Sequence, residues 1–226
     1  MKKSETKKER SLFLRIFDIR MLFYDFGKWT AALFLWLWLR TKRIFISGKK
    51  PKGFSKGKFI IATNHVSFSD FFVVSSALPF RRVCCVSTDH IAKGAWGWFF
   101  KAMGTIFINK EKVALKTFKD VKKTFYRGHL VCMFPEGSIS NESELRTFKG
   151  GIAMMAATSE VDILPIYVAQ RKGLQRKVAV IGERIKHEDL FKSSFPTKDE
   201  LNHASEILLE KEKELESLYK EKYLKH

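Results

Sequence analysis

From Lys58 onward, short apolar runs alternate with segments of helical pattern, and this alternation limits the possible folds more than any other feature of the sequence. The runs are rich in β-branched and aromatic residues without polar alternation, as in strands that are buried on both faces. They cover residues 58–63, 82–88, 104–109, 129–134, 162–169 and 177–182. Strands that alternate with helices predict an α/β fold with a mostly parallel central sheet flanked by helices.

The segments between these runs are predicted helices. Their sequences are SDFFVVSSAL, KGAWGWFFKAM, KEKVALKTFKDVKKTFYRG and KGGIAMMAATS. Residues 197–226 open with Thr197 and Glu200 at capping-box spacing and continue with an amphipathic pattern. This pattern predicts a final helix with one solvated face.

The chain before Lys42 has a different character, because apolar residues cover most of a helical surface and leave a thin polar stripe. At 100° per residue the stripe holds Ser11, Arg15, Asp18 and Asp25. The run from Trp29 to Leu39 would span only about 16 Å as a helix, against a hydrocarbon core of about 30 Å. That run is too short to cross a bilayer alone.

A run extended back to Met21 would be long enough, but Asp25 and Lys28 would then lie inside the membrane at roughly 2–3 kcal/mol each. We therefore predict that residues 1–50 form an N-terminal membrane-associated helical pair in the interface, with a basic linker, and that residues 51–226 form the main domain. Two alternatives stay open for the helices, which are a spanning arrangement and packing on the protein's own core.

The charge of the chain indicates an anionic partner. Lys and Arg number 42 against 24 Asp and Glu, a net charge of +18, and this leaves nucleic acid or an anionic membrane surface. Eight basic residues follow the apolar run, and each contributes about 1 kcal/mol near an anionic leaflet. They are Arg40, Lys42, Arg43, Lys49, Lys50, Lys52, Lys56 and Lys58. Since no nucleic-acid motif is recognisable, we expect membrane association on the cytoplasmic face and no nucleic acid as partner.

The three cysteines indicate neither a disulfide framework nor a metal site. Cys84, Cys85 and Cys132 are odd in number, lack CxxC spacing and lie in strand-like runs. We interpret them as core residues in a reducing compartment and expect no metal.

Residues 64–70, NHVSFSD, place a histidine five positions before an aspartate at the end of a predicted strand. His65 leaves the carboxyl end of this strand, where open α/β sheets bind ligands. Asp70 stands at capping-box spacing from Ser67, but it can also fix the His65 tautomer, and a first-turn carboxylate can do both. The sequence contains no GxSxG elbow, so we expect the nucleophile to be a hydroxyl of the substrate.

A second polar segment, FPEGSIS at 134–140, follows another predicted strand. Glu136 and Gly137 lie where the strand gives way to a loop with exposed backbone donors, and Lys149 stands at the start of the next predicted helix. Two strand ends with polar residues in one sheet predict a shared crevice.

These segments resemble the sequence blocks of the glycerolipid acyltransferase family, which includes the lysophosphatidate acyltransferases. NHVSFSD resembles its NHxxxxD block and FPEGSIS its FPEGxxS block, while GTIFINK (104–110) resembles GxxFIxR and ILPIYV (163–168) the apolar block with proline. The resemblance covers about residues 58–170 and makes 51–226 the acyltransferase domain.

The resemblance implies that His65 is the general base and that Asp70 orients it. The acceptor-binding positions that it implies are Lys110, Glu136, Gly137, Ser138 and Lys149. The implied reaction is direct transfer of a fatty acyl group from acyl-CoA or acyl carrier protein, as co-substrate, to the free hydroxyl of a lysophospholipid, with lysophosphatidate as the expected acceptor. No cofactor is expected.

Two positions depart from the family pattern. Lys110 replaces an arginine, and Ile139 stands where FPEGTRS would place another. The bidentate hydrogen bonds that arginine makes to a phosphate are therefore lost at these positions. Another lysophospholipid therefore remains open as acceptor. Two other classes also remain, namely a thioesterase or phospholipase in which His65 activates water, and a basic module without catalysis.

Overall fold

The structure is a computed structural model that describes residues 21–39, 41–51, 54–67, 69–94, 97–109, 115–136, 148, 150–169 and 176–223, with the backbone alone for 31–39. The predicted helix before residue 21 lies outside the described residues. So do four of the predicted site residues, which are Lys110, Gly137, Ser138 and Lys149. Both departures from the family pattern, Lys110 and Ile139, are thus outside the described residues as well.

The described residues form a seven-stranded sheet in the order β1-β7-β6-β2-β5-β3-β4. The strands are β1 (Lys42–Phe45), β2 (Phe59–Thr63), β3 (Val83–Thr88), β4 (Ile106–Ile108), β5 (Leu130–Met133), β6 (Asp162–Val168) and β7 (Val178–Ile181). Neighbours are parallel except for β6 and β7, which are antiparallel. The predicted mostly parallel α/β sheet is confirmed.

The six predicted strands are all present, but the strand β1 was not predicted. Its residues, KRIF, fall in the segment assigned to the basic linker, and they pair in parallel with β7 at the edge of the sheet. Lys42 and Arg43 are exposed and Ile44 is buried, which is typical of an edge strand protected by charge. One buried residue among basic ones gives no strand pattern in the sequence.

Helices cover both faces of the sheet. They are α1 (Leu22–Leu39), α2 (Asp70–Ala77), α3 (Asp89–Lys93), α4 (Gly97–Ala102), α5 (Leu115–Tyr126), α6 (Gly151–Ser159), α7 (His187–Leu190) and α8 (Lys198–Tyr223). Successive residues of the central strand β2 point to opposite faces, so that Ile60 packs with α5, α6 and α8 and Ile61 packs with α2. The predicted capping box of α8 is present, since Thr197 Oγ1 accepts from Glu200 N at 3.2 Å.

The first turns of α1 pack on the sheet domain. Tyr24 is fully buried, and its hydroxyl accepts a hydrogen bond from Val83 N at 3.0 Å. Asp25 forms an ion pair with Arg82, and Lys28 Nζ donates to Arg81 O at 2.5 Å. This side of α1 therefore packs on the protein's own core, which is one of the two alternatives left open by the sequence. The charges of Asp25 and Lys28 are paired or hydrogen-bonded within the protein.

The opposite side of α1 is apolar and exposed. Leu22, Phe26 and Trp29 are 58%, 68% and 61% exposed. Phe23 joins this surface to Trp98 of α4, with ring centroids 6.0 Å apart, and Trp98 is itself 64% exposed. In the described part of the chain, none of the helices has the length and apolar character that a membrane crossing requires.

Candidate active site

The turn between β2 and α2 is fixed by the side chain of Asn64. Its Nδ2 donates to Val168 O at 2.9 Å, and its Oδ1 accepts from Val168 N at 2.7 Å. The side-chain amide thus replaces a pair of ladder hydrogen bonds where β2 ends beside β6. Because Asn64 is 1% exposed, this tie is protected from water and sets the position of His65.

His65 and Asp70 lie in hydrogen-bond contact. His65 Nδ1 is 3.1 Å from Asp70 Oδ2, and the Asp70 side chain is fully buried while that of His65 is 20% exposed. The His65 ring stacks on Phe134, with centroids 4.1 Å apart and planes at 26°. A carboxylate on Nδ1 leaves Nε2 to accept a proton, as the pairing predicted from the sequence requires.

Asp70 also organises the turn that precedes its own helix. Its Oδ2 accepts from Val66 N at 2.7 Å and from Ser67 N at 2.6 Å, and its Oδ1 accepts from Ser67 Oγ at 2.7 Å. The helix begins at Asp70 with Ser69 as N-cap, so Ser67 belongs to the turn and does not cap α2 as the capping-box interpretation expected. Asp70 therefore serves both the turn and the histidine.

Two further buried carboxyl groups, Glu136 and Glu212, lie on the other side of this turn. Glu136 follows β5, as predicted, and its Oε1 accepts from His65 N at 3.3 Å. Glu212 of α8 is fully buried. Burial first, and then the charge of Glu136, raise the pKa of Glu212 well above its usual value, while the backbone N–H of Asn64 acts in the opposite direction. Burial thus favours the uncharged form of the Glu212 carboxyl.

Glu212 was not predicted as a site residue, although the sequence contains a signal for it. The buried stripe of α8 includes Ala204, Leu208 and Leu215, and Glu212 continues this stripe at helical spacing. A charged residue at a core position of an amphipathic helix indicates a buried polar contact.

Lys177 was also missed. It is buried, and its Nζ donates to Ser67 Oγ at 3.2 Å. Lys177 precedes β7, and it reaches the site because β7 runs antiparallel to β6 and so starts at the edge where β2 ends. The apolar run 177–182 does not show its direction in the sheet, so no sequence pattern indicates this contact.

An apolar cleft of about 630 Å³, partly open to solvent, adjoins His65. Its walls include Phe71, Phe72, Val86, Phe99, Met103 and Phe134. Cys85 also lines it, and burial, with a smaller effect of Cys84, raises the pKa of the Cys85 thiol to about 12. A thiol with such a pKa is protonated at neutral pH and is a poor nucleophile.

The described residues contain no group of three or more His, Cys, Asp and Glu side chains placed to hold a metal ion. Three of the predicted site residues lie together at the carboxyl ends of β2 and β5, and they are His65, Asp70 and Glu136. Their roles in catalysis stay predictions at this point.

Comparison with known proteins identifies the family. Residues 40–169 match the family model described as Acyltransferase. Since this is more than half of the 226 residues, the chain belongs to the acyltransferase family. The resemblance that the sequence blocks indicated is confirmed.

Two relatives differ in their named acceptors. The chain is 30% identical over 142 residues to the 1-acyl-sn-glycerol-3-phosphate acyltransferase of Borreliella burgdorferi, which is 60% of this chain and 55% of that protein. It is 26% identical over 131 residues to the lyso-ornithine lipid O-acyltransferase of Pseudomonas aeruginosa, 56% of this chain and 47% of that protein. The chain thus spans about half the length of these relatives.

The fold is similar to the crystal structure of the 1-acyl-sn-glycerophosphate acyltransferase PlsC from Thermotoga maritima. The TM-score is 0.59 at 19% sequence identity, over 89% of this chain and 80% of that one. At this identity the likeness supports the fold class, an α/β sheet flanked by helices.

Proposed function

We propose that the protein transfers a fatty acyl group from an acyl thioester to the free hydroxyl of lysophosphatidate, which produces phosphatidate. The observation that carries this proposal is the His65–Asp70 pair beside an apolar cleft. Membership of the acyltransferase family and the named activity of the Borreliella burgdorferi relative support it.

In this reaction His65 is the general base. Its Nδ1 donates to Asp70 Oδ2, so Nε2 is free to take the proton of the lysolipid hydroxyl. The buried Asp70 carboxylate stabilises the imidazolium that forms, and the stack on Phe134 holds the plane of the ring. The hydroxyl oxygen then attacks the thioester carbonyl.

The transfer is direct in the proposed mechanism. A carbon–oxygen bond forms to the lysolipid, the carbon–sulfur bond breaks, and the proton held by His65 passes to the leaving thiolate. Two nearby groups are unsuited to form an acyl-enzyme, because the Cys85 thiol has a raised pKa and the Ser67 oxygen accepts a hydrogen bond from the Lys177 ammonium group. The acceptor hydroxyl is then the nucleophile.

The apolar cleft next to His65 suits the hydrocarbon chain of the acyl donor. In its wall, Phe99 contacts the ring of Phe23 of α1, and Met103 packs in a cluster with Tyr24 of α1 and with Met21 just before it. The cleft therefore lies close to the exposed apolar side of α1. We propose that this side of α1 rests in the membrane interface on the cytoplasmic face, and that the lysolipid enters the site from there. Anionic lipids attract the protein through its net positive charge.

The test is to incubate the protein with radiolabelled acyl-CoA or acyl carrier protein and to separate the lipid products. The acceptor panel contains lysophosphatidate, lysophosphatidylcholine and lyso-ornithine lipid, since the Pseudomonas aeruginosa relative is named for the last. We expect labelled phosphatidate, and a loss of about 10²–10⁴-fold in His65→Ala. Free fatty acid released at one rate with or without acceptor would identify a hydrolase instead.

A further inference from the structure

Lys177 is a buried lysine beside the proposed base, and the reaction described above does not use it. Its backbone oxygen accepts a hydrogen bond from Lys42 N at 2.8 Å, which holds this point of the chain against β1. The residue is 6% exposed, and its Nζ donates to Ser67 Oγ at 3.2 Å. A buried ammonium group costs free energy unless it is hydrogen-bonded or paired. The protein thus places a cation where its field acts on the turn.

A chain of hydrogen bonds connects this cation to the imidazole. An ammonium group only donates and a carboxylate only accepts, so Lys177 donates to Ser67 and Ser67 donates to Asp70 Oδ1, at 2.7 Å. The other oxygen of Asp70 accepts from His65 Nδ1 at 3.1 Å. Ser67 Oγ has a further hydrogen-bond contact with the Ser69 hydroxyl, at 2.9 Å. The donor direction at each step therefore follows from the chemistry of the groups.

The charged groups around the turn act on the His65 imidazole in opposite senses. The acidic groups are Asp70 of α2, Glu136 after β5 and Glu212 of α8, and the raised pKa of Glu212 favours its uncharged form. The basic group is Lys177, which precedes β7. Negative charge next to His65 stabilises the imidazolium, whereas a nearby cation opposes it. A general base has to be neutral before it accepts a proton from the substrate.

We infer that Lys177 is a positioning residue of the His65–Asp70 pair. It holds the Ser67 hydroxyl on Asp70, and its positive charge opposes a second positive charge on the His65 imidazole. The consequence for catalysis rests on the proposed acyl transfer, but the effect on the protonation of His65 does not. Lys177 acts through Ser67 and Asp70 and does not contact the substrate in this role.

The direct test is to titrate the His65 imidazole by nitrogen–proton NMR, with His65→Ala to assign its signal. We expect Lys177→Met to raise the midpoint by roughly 0.5–1 pH unit and Lys177→Arg to restore it. The matched control is Lys42→Met, because Lys42 is an exposed lysine of the neighbouring strand whose Nζ lies 5.3 Å from the Tyr223 ring centroid. An unmoved midpoint in folded Lys177→Met, or the same shift in Lys42→Met, would overturn the inference.

Kinetics give a second measurement. In Lys177→Met the acid limb of kcat/KM should move to higher pH with the NMR midpoint, while the KM for lysophosphatidate stays within about twofold. A higher KM without a pH shift would make Lys177 a substrate-binding residue, and a lower Tm alone would make it structural. Either result contradicts the inference.

The two proposals fail in different ways. If the wild-type protein acylates none of the acceptors, the proposed function is wrong, and the NMR titration still decides the role of Lys177. Should Lys177→Met not fold, Lys177→Gln takes its place, because glutamine keeps a donor for Ser67 without the charge. The same upward shift of the His65 midpoint is then expected.

Discussion

Two buried carboxyl groups flank the turn that carries His65, and they differ in the donors that surround them. Asp70 accepts hydrogen bonds from Val66 N, Ser67 N and Ser67 Oγ and contacts the His65 ring. Glu212 is buried to the same extent, yet within the described ranges neither of its oxygens makes a hydrogen bond of full geometry, and the backbone N–H of Asn64 favours its charge only weakly against burial. Burial and the charge of Glu136 raise the Glu212 pKa well above its usual value.

The difference shows that the donors, and not burial alone, decide what a carboxyl group can do in this site. Donors that converge on a carboxylate stabilise its negative charge, and that charge can support an imidazolium. Burial without such donors favours the uncharged form of a carboxyl group, which then serves packing or a weak contact. Replacement of each acid by its amide should therefore have opposite consequences.

The largest effect is expected for Asp70→Asn. Asparagine keeps an oxygen for the amides of the turn but removes the charge that stabilises the His65 imidazolium. We expect kcat to fall by about 10²–10⁴-fold, the range of general-base contributions. Steady-state kinetics with labelled acyl thioester measure this, and circular dichroism melting is the control. A variant whose only defect is a lower Tm would show that Asp70 serves the turn alone.

An intermediate effect is expected for Asn64→Ala, because this change loosens the position of the turn but leaves its charged side chains in place. The change leaves the N–H and C=O groups of Val168 without their buried partner, at roughly 1–3 kcal/mol for each. We expect a lower free energy of unfolding, measured by urea denaturation, together with reduced kcat. Full stability in this variant would mean that the end of β2 is held by other contacts.

The smallest effect on activity is expected for Glu212→Gln. Because the folded pKa of Glu212 is raised, the unfolded chain loses this proton at lower pH than the folded chain. Stability therefore falls as pH rises above the unfolded value of about 4.3 toward the folded one. Glutamine removes this loss, so the variant should melt roughly 2–4 °C higher at pH 8, with a smaller gain at pH 5.

Calorimetry at the two pH values checks that expectation, and kcat should stay within about threefold of wild type. A Glu212→Gln protein that is less stable at pH 8 than wild type would show that Glu212 is ionised in the fold. The contrast with Asp70 would then disappear.

Much of this arrangement could be predicted from the sequence where the signal is local. The apolar runs predicted six strands of the sheet, and NHVSFSD and FPEG predicted His65, Asp70 and Glu136 at adjacent strand ends. These residues follow directly from strands whose parallel order brings their carboxyl ends to one edge.

The parts that could not be predicted depend on contacts distant in sequence. Lys177 reaches Ser67 only because β7 returns antiparallel to β6, and Glu212 reaches the turn only through the packing of α8. β1 has a single buried side chain among basic residues, which is too little for a strand pattern. The charges of α1 looked costly in a membrane because their partners Arg81 and Arg82 lie far along the chain.

The central claim is that the acyl group passes directly from the thioester to the acceptor hydroxyl with His65 as base. Intact-mass spectrometry of the protein mixed with acyl thioester, before and after addition of lysophosphatidate, tests it most directly. We predict an unchanged protein mass at every time point and phosphatidate only after the acceptor is added, with its formation slowed by about 10²–10⁴-fold in His65→Ala. A protein heavier by one acyl group, which returns to its original mass as phosphatidate forms, would contradict the account.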